Sequence, residues 1–419
     1  MIWLLCAAAL ALAALGAPIF ALIGALALWL FHAADIGGSA VIIELFRLAS
    51  LPALSAIPLF TFAGFLLAES KAPQRLLYFA ESLFGWMPGG LAVVGLTTCA
   101  LFTAFTGASG VTIIALGGLL LPMLLKQGYP EKFSLGLLTC TGSLGLLFPP
   151  SLPIILYGLV AKVSIDKLFI ASLLPGVLLL GVLAVMGVVT GWRRGVARTP
   201  FSGKALASSA RAAAWEIPLP VVIIGGIYGG LFTATDAAAV MAFYAFMVEV
   251  VILRDLKLSD LPRIAALSMA LVGAIFVVLG TALGLTNYLI DAEVPDRLFA
   301  FMHSFVSSKI GFLALLNVLL LVVNMVEIFS AIIIVVPIIV PIAAQYGIDP
   351  IHLGVIFLLN LEIGYMTPPL GLNLFLSNRR FDRPLGELYR SVAPFWLVHV
   401  AVLAAITYIP HLSLWLLPK

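Results

Sequence analysis

Charge is what this sequence has least of: charged residues make up 10% of it and the net charge is only +3. Soluble domains carry about 25% charged residues, so a water-soluble globular protein is excluded. No run of Lys and Arg interleaved with aromatics exists, which excludes a nucleic-acid surface. Cysteine is scarcer still. Cys6, Cys99 and Cys140 lie far apart in apolar segments and form neither a disulfide framework nor a metal knuckle. The histidines His32, His303, His352, His399 and His411 are isolated from one another and predict no transition-metal site. What the chain does have is apolar length: hydrophobic residues supply 63% of it and mean hydropathy is +1.19. This predicts an all-α polytopic protein embedded in a lipid bilayer.

Charge gaps and Gly/Pro punctuation place spans near 2–14, 18–32, 51–69, 133–161, 168–191, 216–230, 234–253, 264–290, 352–377 and 391–416. The opening MIWLLCAAALALAALGAPIF lacks the positive n-region of a cleaved signal and reads as a span that stays. Two further apolar stretches, 89–125 and 310–343, break near their middles. Each is two short crossings or one re-entrant hairpin, and either choice returns the chain to its starting side. With the loop from Arg193 to Arg211 in the cytoplasm, sixteen of the 22 Lys and Arg residues fall inside and six outside. Both termini then face outward.

Two spans are interrupted where lipid offers no water to satisfy a broken backbone. Residues 142–151 read GSLGLLFPPS and residues 360–373 read NLEIGYMTPPLGLN. An offset of 219 residues superposes Pro122 on Pro341, Gly128 on Gly347, Gly145 on Gly364, and Pro149 and Pro150 on Pro368 and Pro369. An offset of 222 superposes Pro73, Arg75, Leu76 and Phe79 of KAPQRLLYF on Pro295, Arg297, Leu298 and Phe301 of EVPDRLFAF. Five crossings separate equivalent points. The halves are therefore predicted to be inverted repeats, each with a hairpin and a broken helix. That is the architecture of secondary transporters, whose unwound backbone lines a cavity near the midplane.

The segments FTGASGVTIIALGGLLLPMLLKQGYPEKFSLG, GSLGLLFPPSLPIILYG, GGIYGGLFTATDAAAV, EIFSAIIIVVPIIVPIAAQYGIDPIHLGVI and IGYMTPPLGLNLFL resemble the large membrane (M, DctM-type) subunit of tripartite ATP-independent periplasmic (TRAP) transporters, from about residue 51 to the C-terminus. The resemblance implies an elevator-type, sodium-driven importer of an organic anion, usually a carboxylate, in the bacterial inner membrane. It implies two partners: a periplasmic substrate-binding (P) protein and a small membrane (Q) subunit, the latter expected as a separate polypeptide. It also implies a division into scaffold (1–70 and 215–290), arm segments (71–87 and 291–309), a basic cytoplasmic loop (193–214), and a transport part (88–192 and 310–419).

Sodium takes several hard oxygen ligands, which carbonyls and hydroxyls supply without a large charge penalty. The sodium-binding candidates are Ser109, Thr112, Gly142, Ser143 and Gly145 in the first repeat, and Glu327, Ser330, Gly364 and Thr367 in the second. Substrate-binding candidates are Ser151, Glu362 and Asn373. Glu362 departs from the family pattern, and as a carboxylate inside a span it is expected to face the cavity. Asp236 in FTATDAAA stands where the family usually has Glu, and equally reads as part of a helix start with Thr233 or Thr235 as cap. Glu249 lies near a cytoplasmic end and is expected to be solvated. Two other readings stand beside this one. A stand-alone sodium/carboxylate symporter shares the architecture without needing a binding protein. An intramembrane serine protease would use Ser109 of the GASG stretch as nucleophile, with His399 as base.

Overall fold

The computed structural model describes residues 12, 17–39, 41–43, 46, 50–107, 109–323 and 328–417, and no strand occurs among them. The span predicted over 2–14 lies almost wholly outside the described residues. Helix is the expected solution, because a spanning segment in lipid must satisfy its own backbone N–H and C=O groups. Among the described residues, seven helices are long and apolar enough to cross a membrane, or up to nine if each of two bent pairs is one span.

In chain order, α1 (Ile19–Ala33) and α2 (Ala56–Glu69) precede an amphipathic arm, α3 (Ala72–Phe84). The first hairpin runs up α4 (Gly90–Thr106), turns, and returns through 109–117 into α5 (Gly118–Lys126). The first broken helix is α6 (Glu131–Leu144) followed by α7 (Leu152–Ala161), and α8 (Ile165–Arg194) closes the repeat. After α9 (Gly203–Ala212) come α10 (Pro218–Tyr228), α11 (Ala234–Phe246) and α12 (Leu261–Asp291). The second repeat has its own arm, α13 (Val294–Phe305), and a hairpin of α14 (Lys309–Val323) and α15 (Ile328–Gln345). Its broken helix is α16 (Pro350–Gly364) and α17 (Leu372–Phe381), followed by α18 (Leu385–Tyr408).

The breaks fall where the sequence placed them. After Leu144 a tight turn at Gly145–Leu147 leads into extended backbone, and α7 resumes at an angle of 44° with Pro153 in its first turn. Proline lacks the N–H that would continue the helix before it, but is tolerated in a first turn, where that donor has no helical partner. The Pro149–Pro150 and Pro368–Pro369 bonds are both cis. Gly145 sits against the backbone of α4, where a Cβ would collide with Ala100 O and Ala104 N, so only glycine lets the hairpin lie directly on the break. Gly128 and Gly347, the pair related by the 219-residue offset, both adopt left-handed backbone, with φ of 94° and 69°, at the turn from hairpin into broken helix.

Packing interlocks the repeats. α7 lies on α15, and α17 lies on the 109–117 segment, so the second half of each broken helix rests on the other repeat's hairpin. α6 packs against α18, and α8 against both α4 and α16. α2 packs on α11 and α12, and α12 also carries α1.

One expectation is overturned at the edge of this assembly. Glu249 is not solvated: it is fully buried and paired at 3.1 Å with Arg75 of the arm, which also binds Glu216 and Asp255. Hydropathy put Glu249 at a span's end, but α3 folds back across that end and covers it. For Arg75, burial disfavours the charge, but the hydrogen bonds and attraction of Asp255, Glu216 and Glu249 outweigh it and hold its pKa above the usual guanidinium value. Asp236, by contrast, is the helix-start residue of the second reading. It forms a capping box with Thr233 at the head of α11 and is exposed.

Candidate functional site

The two hairpin tips and the two helix breaks converge on one cavity of about 620 Å³. Gly107, Ser109 and Gly110 line it from the first tip, and Ile328, Phe329 and Ser330 from the second. Leu146 and Pro153 line it from the first break, and Tyr365 and Leu372 from the second. The remaining wall is α12, through Leu271, Ala274, Ile275 and Val278, with Phe20 of α1 beside it. Because Pro153 and Leu372 belong to the first turns of α7 and α17, both of these half-helices begin at the cavity wall. Helix N-termini carry free N–H groups and about half a positive charge, which suits an anion.

Behind the first tip lies a compact group of oxygens. The hydroxyls of Thr103 and Thr112 are 2.6 Å apart, and Thr103 donates to the Gly142 carbonyl at 2.9 Å. With both threonines fully buried, three hard oxygens from the hairpin and the broken helix share one small volume. Thr103 was not singled out from the sequence. It has no polar counterpart in the second repeat, where the 219-residue offset reaches Val322, and its only signal is a hydroxyl one turn before the tip in the apolar run ALFTAFTG.

A second group joins the two broken helices. Asn373 donates to the Thr139 carbonyl at 3.1 Å and to Ser143 Oγ at 3.3 Å, and its own Oδ1 is buried without a donor. Thr139 in turn reaches Ser377 Oγ at 2.9 Å. Ser143 and Asn373, assigned from sequence to sodium and to substrate respectively, thus belong to a single cluster. Ser151 heads α7 fully buried, with Oγ unpartnered. These orphaned acceptors fit a cation better than they fit an apolar interior.

The other candidates divide. Ser330 lines the cavity beside the second tip, and Gly145 packs against α4 with its carbonyl accepting from Phe148 N at 3.1 Å. Thr367 donates back to Ile363 O at 2.7 Å and accepts from Trp396 Nε1 at 2.9 Å, the usual fate of a hydroxyl in a membrane helix, and Gly364 O accepts from Thr367 N. Glu327 lies outside the described residues. Glu362 does not face the cavity. It is fully buried and points at α18, with Oε1 3.5 Å from His399 Nε2. His399 is therefore that carboxylate's neighbour and lies elsewhere than at the Ser109 wall. Among the described residues no three His, Cys, Asp or Glu side chains come together as a metal site would require.

Comparison with known proteins matches the chain to a family. The family model for the tripartite ATP-independent periplasmic transporter, DctM component, matches residues 4–412. The chain is 36% identical over 393 residues to the C4-dicarboxylate TRAP transporter large permease protein DctM of Pseudomonas aeruginosa, covering 93% of this chain and 92% of that one. It is 36% identical over 427 residues to the protein of the same name from Rhodobacter capsulatus, covering 97% and 96%. It is 33% identical over 369 residues to the isethionate TRAP transporter permease protein DctMQ of Oleidesulfovibrio alaskensis, covering 86% of this chain and 58% of that longer one. A solved structure, the YdaH transporter of Alcanivorax borkumensis, has the same fold, with a TM-score of 0.64 at 16% identity over 90% of this chain and 87% of that one.

Proposed function

The chain belongs to the DctM component family of tripartite ATP-independent periplasmic transporters, and from that premise we propose that it imports an organic anion, a carboxylate, by sodium-coupled elevator movement. It is a large permease subunit of the inner membrane and not an enzyme, so the protease reading of Ser109 is set aside. The observation that carries the proposal is the convergence of two hairpin tips and two half-helix N-termini on one cavity.

A carboxylate entering there meets backbone N–H groups and positive dipole ends at α7 and α17, with apolar side chains around its carbon skeleton. Sodium takes the oxygens of Thr103, Thr112 and Gly142 in the first repeat, and Asn373 Oδ1 with Ser143 where the repeats meet. Ser109 and Ser330 line the cavity from the two tips, Ser151 heads α7, and Glu327 sits beside the second tip in sequence. The paired charges enter an apolar cavity as a neutral set, which lowers the cost of burying either. Residues 88–192 and 310–419 move as the transport part against a scaffold of 1–70 and 215–290, whose α12 forms the cavity's fixed wall. The arms at 71–87 and 291–309 link the two, and the 193–214 loop stays cytoplasmic with both termini outside.

A small membrane subunit braces the scaffold and a periplasmic binding protein delivers the substrate. The DctMQ relative is longer than this chain and its name pairs the two membrane components. The test is uptake of a labelled C4-dicarboxylate into liposomes holding this chain, with and without a small subunit, a binding protein and an inward sodium gradient. Uptake should require all of these. Full-rate uptake by the chain alone would establish the stand-alone symporter instead, and uptake indifferent to sodium would end the coupling proposal.

A further inference from the structure

A second cavity, of about 280 Å³, lies between α3, α4 and the start of α10. Its walls are mostly apolar, with Leu76, Phe79 and Phe84 from the arm, Leu101 and Phe105 from the hairpin, and Pro220 opposite. Two buried acceptors interrupt this lining. Glu216 and Thr98 both line the cavity and are each 2% exposed. Arg75 occupies Glu216 Oε1, whereas Glu216 Oε2 and Thr98 Oγ1 have no hydrogen-bond partner. A buried acceptor left without a donor is costly, and a carboxylate oxygen more so than a hydroxyl.

This end of the cavity is also short of positive charge. Arg75 is shared among Glu216, Glu249 and Asp255, all nearly or fully buried. Lys71 reaches only Asp255, at 4.0 Å, from a side chain that is 76% exposed. Three carboxylates thus share one partly buried cation, and the oxygen left over belongs to the residue that lines the cavity.

We propose that this cavity is a binding site for a protonated amine with a small apolar body, whose ammonium donates to Glu216 Oε2 and Thr98 Oγ1 while its body fills the space between α3, α4 and α10. An ammonium offers only donors, which matches a carboxylate oxygen and a hydroxyl oxygen that both lack one. A neutral alcohol can donate to one of the two, and an anion meets the surplus of carboxylates. The ethanolamine head of a lipid is a poorer match, because its phosphate would be forced among apolar walls beside those same carboxylates. A bound amine joins three elements and stabilises the folded chain by mass action.

Binding is read without transport, so its outcome is separate from that of the uptake experiment. The purified chain in detergent is titrated at neutral pH with phenylbutylamine, phenylbutanol and phenylbutyrate, following heat of binding and unfolding temperature. The amine should bind saturably and raise the unfolding temperature by about 2–5 °C, the alcohol should bind about tenfold more weakly, and the carboxylate should not bind. Ala80→Phe fills the cavity from α3 while leaving Arg75 and its three partners unsubstituted, and should abolish binding. Thr98→Val keeps the shape and removes one acceptor, and should weaken the amine about fivefold. Glu216→Gln should weaken it about tenfold; if that variant does not fold, the other two decide. Equal binding of amine and alcohol, or amine binding unchanged in Ala80→Phe, would show partition into detergent and overturn the site.

Discussion

Glu362 and His399 face each other inside the protein with Oε1 and Nε2 3.5 Å apart, and the other imidazole nitrogen, Nδ1, lies 2.8 Å from the Phe395 carbonyl. A carbonyl only accepts, so Nδ1 carries the hydrogen. Nε2 then presents a lone pair to Glu362 unless a second proton occupies the gap. Both side chains are fully buried, and neither carboxylate oxygen of Glu362 nor His399 Nε2 has a hydrogen-bond partner elsewhere.

That mutual isolation orders the variants. Glu362→Gln keeps a donor for Nε2 and removes the charge, and should cost less than about 1 kcal/mol. His399→Leu strands an acid in an apolar interior and should cost about 3 kcal/mol. Thermal unfolding of the two purified variants gives the order, and the reverse order would refute the pairing of Glu362 with His399.

Gly145→Ala should destabilise the chain by about 1–3 kcal/mol, because the new methyl enters the backbone of α4. Gly181, with nothing within 4 Å of a built Cβ, is the control, and Gly181→Ala should be neutral or slightly stabilising. Similar melting temperatures for the two variants would mean that α4 does not press on the break.

Thr103→Val removes a hydroxyl without changing shape. It should raise the sodium concentration for half-maximal uptake about tenfold, with the fold intact. Thr97→Val, six residues earlier on the same helix, loses only bonds back to Val93 and Val94 of its own helix and should leave sodium dependence alone. Identical sodium curves for both variants and the parent would remove Thr103 from the ion site.

Arg75→Leu leaves Glu216 and Glu249 without their cation and Asp255 with only the exposed Lys71, and should cost about 3 kcal/mol or more. The exposed pair of Arg383 and Glu131 tests the contrast, since solvent screens it and Arg383→Ala should leave the melting temperature unchanged. Comparable losses from both would mean that burial does not set the strength of these bridges.

For topology, Ser202→Cys should be labelled from the cytoplasmic side, and Ala344→Cys, exposed near the end of α15, from the periplasmic side. Labelling of both from one side would break the inverted repeat.

The spans, the two breaks and the doubled arms were legible in the sequence because their causes are local. Lipid demands long apolar helices, proline removes the donor that would continue a helix, and the turns at Gly128 and Gly347 need a residue without a Cβ. Inversion followed from counting crossings between equivalent residues. No local pattern could say that α7 would rest on α15, or that Asn373 would meet Ser143 from 230 residues away. Arg75 reaches Glu249 across 174 positions, and Thr103 becomes part of the oxygen group only because the Gly142 carbonyl is brought beside it. Glu362 shows the limit most plainly. Hydropathy could say that a carboxylate inside a span needs a partner, but which face of α16 it occupies, and that the partner is His399 and not the cavity, depends on how α18 packs. Side-chain direction in a helix buried on every side is decided by its neighbours, and they are fixed only when the two repeats interlock.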